Sequence, residues 1–142
     1  MKRTASAAWS GDLKQGKGTL TTPSGVLKET PYSFTTRFEQ GAGTNPEELI
    51  AAAHAGCFTM ALSASLGRAG FTPDRLSTKA SLDLEQIDGN WTITAIQLDL
   101  TAKVPGIDAQ RFNEIAADAK ANCPVSRVLN AKITLDAKLE SA

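Results

Sequence analysis

The sequence predicts an α+β domain with helices on one side of largely antiparallel sheets. Three observations carry that prediction: a strong helix start at Asn45-Pro46, an alternating run from Leu82 to Leu100 folded about Asp88-Gly89-Asn90, and a clean alternation from Ile133 to Leu139. The order read from the chain is strands, long helix, hairpin, helix, strand. At 142 residues the chain suits a single domain, 1–142, with a real hydrophobic core.

The first forty residues read as short strands and turns. Lys17–Thr22 is rich in β-branched side chains and is closed by the turn signal Pro23-Ser24-Gly25. Ser33–Phe38 reads as a further short strand, with Phe34, Thr36 and Phe38 on one face and Arg37 on the other. Gly41-Ala42-Gly43 breaks the pattern. Strands this short have little core of their own and must pack on something else.

The next element is the best-signalled helix. Asn45 suits the N-cap, Pro46 the first helical position, and Glu48 the third residue after the cap, as in a capping box. Glu47 and Glu48 set negative charge at the positive end of the helix dipole. The helix is expected to reach Gly67 or Gly70, with Arg68 in its last turn. Ile50, Ala53, Cys57, Met60 and Ala64 recur at three- and four-residue steps and predict one packed seam, rich in small neighbours. Leu49–Leu66 is the most apolar stretch, yet it contains His54, Ser63 and Ser65 and lacks the large side chains of a bilayer span; it reads as a buried helix.

A hairpin follows, with Leu82 and Leu84 alternating against Asp83 and Glu85. On the return strand Trp91 and Ile93 share one phase and Ile96, Leu98 and Leu100 the other, which predicts a β-bulge near Thr94-Ala95. Asp108 caps a second helix bearing Phe112, Ile115, Ala116 and Ala119. Pro124 opens a short third helix with Cys123 at its N-cap, and the last strand carries Ile133, Leu135, Ala137 and Leu139 inward.

Composition narrows the function. Lys plus Arg and Asp plus Glu are 15 each, a balance that argues against a nucleic-acid-binding surface or a polybasic membrane anchor. Thr4–Trp9 is too short and polar for a signal-peptide core, so the protein is expected to be cytoplasmic. Two cysteines cannot form a disulfide scaffold, and with one histidine a zinc site would need carboxylates. No cofactor or metal is expected.

The chemistry therefore centres on Cys57 and Cys123. Cys57 sits in mid-helix, where the backbone dipole helps little, so a thiolate there needs a charged neighbour such as a guanidinium. Cys123 sits at a helix start, where free N–H groups favour a thiolate. By composition alone, two small buried hydrophobes is the favoured reading. His54 lies one turn before Cys57 and is either a base near its sulfur or a hydrogen-bonded core residue. Glu47 precedes Cys57 by ten residues, or about 15 Å of helical rise. It either complements the helix dipole or reaches a cysteine across a dimer. Arg37 sits on a short strand otherwise made of Phe and Thr, where a solvated strand-face arginine is the plain reading.

Gly16-Lys17-Gly18-Thr19, Thr36-Arg37-Phe38-Glu39, Gly43–Ile50, Ala52–Phe58 and Asn122-Cys123-Pro124-Val125-Ser126 closely resemble the family of OsmC and the organic hydroperoxide resistance proteins. The likeness runs from about Trp9 to Leu139, and the histidine before Cys57 resembles the OsmC branch. The resemblance implies an intertwined homodimer, its long central helices wrapped by sheets and its active sites at the subunit interface. It implies a thiol-dependent peroxidase acting on organic hydroperoxides and, less well, on hydrogen peroxide, in oxidative and osmotic stress defence. Cys57 would be peroxidatic and Cys123 resolving, with a strand arginine and a helix-start glutamate falling on Arg37 and Glu47. A dithiol of lipoyl type would be the reductant. The alternative is a peroxide-sensing or ligand-binding dimer switched by the same disulfide.

Overall fold

The computed structural model describes residues Met1–Ser141. Its chain forms two compact units, one from Met1 to Leu49 and one from Ile50 onward. In the first, β1 (Ser6–Ser10), β2 (Lys17–Thr21) and β3 (Thr30–Tyr32) make an antiparallel sheet in that order. Gly18 pairs with Trp9 on one side and Tyr32 on the other, and the two rings lie 5.5 Å apart. A Cβ at Gly18 would overlap both rings, so glycine is what lets the aromatic pair close over the middle strand.

Ser33–Phe38 is not a strand. It forms a one-turn helix, α1 (Phe34–Phe38), because Ser33 and Thr36 cap each other: the Thr36 N–H donates to Ser33 Oγ at 3.3 Å and the Ser33 N–H to Thr36 Oγ1 at 2.8 Å. The same spacing that suggests alternation also sets Phe34 and Phe38 one helical turn apart, where their rings meet at 4.9 Å. Arg37 is therefore a helical residue.

Helix α2 (Pro46–Arg68) begins where the caps predict. The Glu48 N–H donates to Asn45 Oδ1 at 2.8 Å, while the Glu48 carboxylate accepts from Thr44 Oγ1 at 2.7 Å rather than closing the box on Asn45. It ends in a Schellman turn: Gly70 takes φ 90°, and the Phe71 N–H reaches the Leu66 carbonyl at 2.9 Å.

The expected seam is corrected. The buried face is His54, Phe58, Leu62 and Leu66, whereas Ala53 and Ala64 are exposed and Met60 is 77% exposed. Large side chains one turn apart outcompete the small-residue stripe for the core, since they bury more apolar area. The helix is thus buried on one face only. By length and composition alone it would also qualify as a membrane span, but its large side chains join the core cluster of the second unit.

That cluster forms on a sheet of order β4-β5-β6, with β4 (Arg75–Ile87) and β5 (Asn90–Lys103) antiparallel and β6 (Lys132–Leu139) parallel to β5. Asp88 and Gly89, both with positive φ, make the two-residue hairpin turn. Asp83 pairs with Ala95 and Leu84 with Ile93, so Thr94 is the extra residue of the predicted bulge. The bulge turns Ile96, Leu98 and Leu100 inward, where they meet Phe58, Leu62 and Leu66 of α2. Phe112, Ile115, Ala116 and Ala119 of α3 (Ala109–Asn122) join them. Helices α3 and α4 (Pro124–Val128) form the crossover that a parallel strand pair requires.

Candidate functional site

In the second unit, α2 and α4 bring the two cysteines together. Cys123 is 1% exposed and Cys57 half-buried at the edge of the core; both are free thiols. Pro124 fixes the first turn of α4, which leaves the next two N–H groups unclaimed by the helix. The Ser126 N–H donates to Cys123 Sγ at 3.3 Å, making the sulfur the cap. The Val125 N–H and the Cys123 thiol both lie close enough to Cys57 to shift its thiol. Burial pushes the Cys57 thiol up, the Val125 N–H pulls it back, and Cys123 pushes it up again. Backbone N–H groups of α4 thus serve both sulfurs, an assistance to Cys57 that helix position alone did not suggest.

Among the described residues the hydrogen bond of His54 goes to Ser126, not to Cys57. The histidine is fully buried, and its Nε2 lies 2.7 Å from Ser126 Oγ. Ser126 Oγ in turn accepts from the Cys123 thiol at 3.1 Å. Burial holds His54 below its ordinary value, so the ring is neutral at physiological pH. Its Nδ1 is buried without a hydrogen-bond partner among the described residues.

In the first unit, Arg37 and Glu47 form a forked ion pair. Arg37 Nε lies 3.0 and 3.2 Å from the two carboxylate oxygens, and the terminal Nη2 donates to Oε1 at 2.7 Å. Glu47 is the better shielded, at 12% side-chain exposure against 37% for Arg37. The pair holds the guanidinium near the Phe38 ring, 5.2 Å from its centroid. Arg37 also lines a cavity of about 270 Å³ otherwise walled by Trp9, Leu13, Tyr32, Ser33, Phe34 and Phe38. Among the described residues no cluster of three or more His, Cys, Asp or Glu stands together.

The family model described as "OsmC-like protein" matches residues 39–138. The chain belongs to the OsmC-like protein family. It is 58% identical over 135 residues to "Peroxiredoxin OsmC" of Escherichia coli (strain K12), covering 95% of this chain and 94% of that one. It is 33% identical over 94 residues to the "Organic hydroperoxide resistance protein" of Xanthomonas axonopodis pv. citri (strain 306), covering 66% and 64% of the two chains. Among solved structures, the organic hydroperoxide resistance protein OhrB of Bacillus subtilis superposes with a TM-score of 0.70 at 25% identity, over 95% of this chain and 98% of that one. An OsmC-like protein of Vibrio cholerae reaches 0.76 at 15% identity, over 96% and 99%.

This OsmC-like chain thus groups its sequence-predicted residues into two pairs, Cys57 with Cys123 and Arg37 with Glu47. Two contributors escaped the sequence reading, the Val125 N–H and the Ser126 hydroxyl. The one available signal for Ser126 is its place in the cap, three residues after Cys123, where a serine hydroxyl can fold back onto the capping sulfur.

Proposed function

We propose that this protein is a cytoplasmic, thiol-dependent peroxidase that reduces organic hydroperoxides, and hydrogen peroxide less well, in oxidative and osmotic stress defence. What supports this reading most is that the fold brings Cys123, far from Cys57 in sequence, close enough to push the Cys57 thiol up. The names carried by its relatives, peroxiredoxin and organic hydroperoxide resistance protein, point the same way.

In this reading the Cys57 thiolate attacks the distal peroxide oxygen. The O–O bond breaks, a sulfenic acid forms on Cys57, and the alkoxide takes up a proton to leave as the alcohol. The Cys123 thiol then attacks the Cys57 sulfur, forming the disulfide and releasing water. A dithiol, of lipoyl type, reduces the disulfide and is itself oxidised to its cyclic disulfide. Arg37 stabilises the thiolate and the departing oxygen, and Glu47 orients it.

The working unit is a homodimer in which Arg37 and Glu47 of one protomer serve Cys57 of the other. The family resemblance and the ten residues of helix between Glu47 and Cys57 favour this arrangement. The hydroperoxide's apolar tail occupies the aromatic cavity beside Arg37.

The test is consumption of cumene hydroperoxide with dithiothreitol or dihydrolipoamide by wild type, Cys57→Ser and Cys123→Ser. Wild type turns over many equivalents and Cys57→Ser none. A wild type that reacts once and stops would establish the sensor instead, and full activity in Cys57→Ser would refute the mechanism.

A further inference from the structure

His54 is the most deeply buried ionisable side chain outside the two pairs already described, and the peroxidase cycle does not use it. It lies on the same face of α2 as Phe58, Leu62 and Leu66, where an apolar side chain would avoid the cost of desolvating an imidazole. Among the described residues only one of its two ring nitrogens finds a hydrogen-bond partner. Packing therefore does not account for a histidine here.

Its partner gives it a direction. Ser126 Oγ stands between His54 Nε2, at 2.7 Å, and Cys123 Sγ, at 3.1 Å. The Cys123 thiol donates to Ser126 Oγ, which leaves the serine hydroxyl hydrogen free to donate to His54 Nε2. The neutral ring then carries its own hydrogen on Nδ1, the nitrogen without a partner. The three groups form one continuous donor-to-acceptor chain from sulfur to imidazole. Meanwhile the Ser126 backbone N–H, at 3.3 Å, is aimed at the same sulfur and would stabilise it once deprotonated.

We propose that Ser126 and His54 form a proton relay for Cys123 that accelerates the resolving step. This rests on the reading of Cys57 as the attacking and Cys123 as the resolving cysteine. After peroxide attack, the Cys123 thiol proton passes to Ser126 Oγ as the serine's own proton passes to His54 Nε2. The Cys123 thiolate attacks the sulfur of the Cys57 sulfenic acid, the S–S bond forms and the S–O bond breaks. The leaving hydroxide takes a proton, His54 is restored to its neutral form, and the net change is thiol plus sulfenic acid to disulfide plus water. Cys123 lies against the core, almost closed to solvent, so bulk water is poorly placed to remove this proton. His54 and Ser126 act through Cys123 and are positioning and proton-carrying residues for it.

The experiment is a single turnover of the full-length reduced protein with one equivalent of cumene hydroperoxide. Hydroperoxide loss reports attack. Disulfide formation, followed by mass spectrometry after acid quench and alkylation, reports resolution, and a dimedone adduct at Cys57 reports the waiting sulfenic acid. In Ser126→Ala and His54→Phe, resolution slows about tenfold or more relative to attack, the scale of a lost general base, and the dimedone adduct accumulates. Ser126→Thr, which keeps the hydroxyl, restores most of the rate. His54→Gln does not, because an amide can hydrogen-bond Ser126 but cannot take its proton. An unchanged ratio of resolution to attack in Ser126→Ala would overturn the relay even if His54→Phe fails to fold. Full rescue by His54→Gln would overturn it as well, leaving only a structural contact. A wild type that consumes hydroperoxide without forming the Cys57–Cys123 disulfide would instead refute the underlying assignment, and the relay with it.

Discussion

Met60 offers a sharp test of how the open face of α2 is used. The isolated chain leaves this side chain 77% exposed on a helix whose neighbouring face is Ala53, Gly56 and Ala64. Full burial of a methionine is worth about 1.5–3 kcal/mol, so roughly 1–2.3 kcal/mol per copy is still available at this exposure. A two-fold interface uses the same patch twice, which raises the figure to roughly 2–4.6 kcal/mol. If the face packs against a second copy, Met60→Ala weakens dimerisation by roughly 30- to 2000-fold in Kd. Alanine is the better helix former, so α2 itself survives the change. Sedimentation velocity across a dilution series measures the Kd, and far-UV circular dichroism checks the fold. A Kd within about twofold of wild type, the range of an isolated surface substitution, would refute the use of this face in the dimer.

Three further outcomes follow from the same geometry. Leu62→Ala removes a fully buried side chain from the core cluster and is expected to cost about 2–5 kcal/mol in urea unfolding; a loss under about 1 kcal/mol would contradict the buried seam. Arg37→Ala is expected to lower kcat/KM for cumene hydroperoxide about 100-fold, and Glu47→Gln about tenfold with the arginine retained but less well held. Wild-type kinetics in both would remove the ion pair from the site. Burial lowers His54 below 6.5 in the folded chain, so between 6.5 and the folded pKa the unfolded state binds the extra proton. Stability contributed by the neutral ring is therefore lost as pH falls through that window, and His54→Gln flattens that part of the profile. Parallel urea midpoints for the two proteins from about pH 7.5 to 5 would show that residue 54 is not the source.

Much of the frame was legible because its signals are local. The cap at Asn45 and Pro46, the Gly70 terminus, the Asp88-Gly89 turn and the Asp108 cap each depend on backbone groups within a few residues, and each occurs where the residues indicate. The Thr94 bulge was readable too, since a bulge reverses the side-chain phase and that reversal is written into β5. Ser33–Phe38 was misread because Phe-Thr-Thr-Arg-Phe satisfies both a period of two and an i,i+4 pair, and the reciprocal Ser33–Thr36 cap decides between them. The buried face of α2 was misjudged for a related reason: small residues look like an interface, but within one chain the large side chains at 54, 58, 62 and 66 claim the core.

By itself the sequence determined the element order, the helix ends, the hairpin and its bulge, and that Cys57 and Cys123 are the sole thiols. It also placed Cys123 at a helix start, a property of the adjacent proline and backbone. Only the tertiary structure decided that α4 sets Cys123 and the Val125 N–H against Cys57, that Arg37 forks onto Glu47 from a helix, and that His54 faces Ser126 rather than the cysteine one turn away. These pairings join residues on different elements. Their partners are chosen by how the helices pack around the apolar core, and no local spacing in the chain encodes that choice.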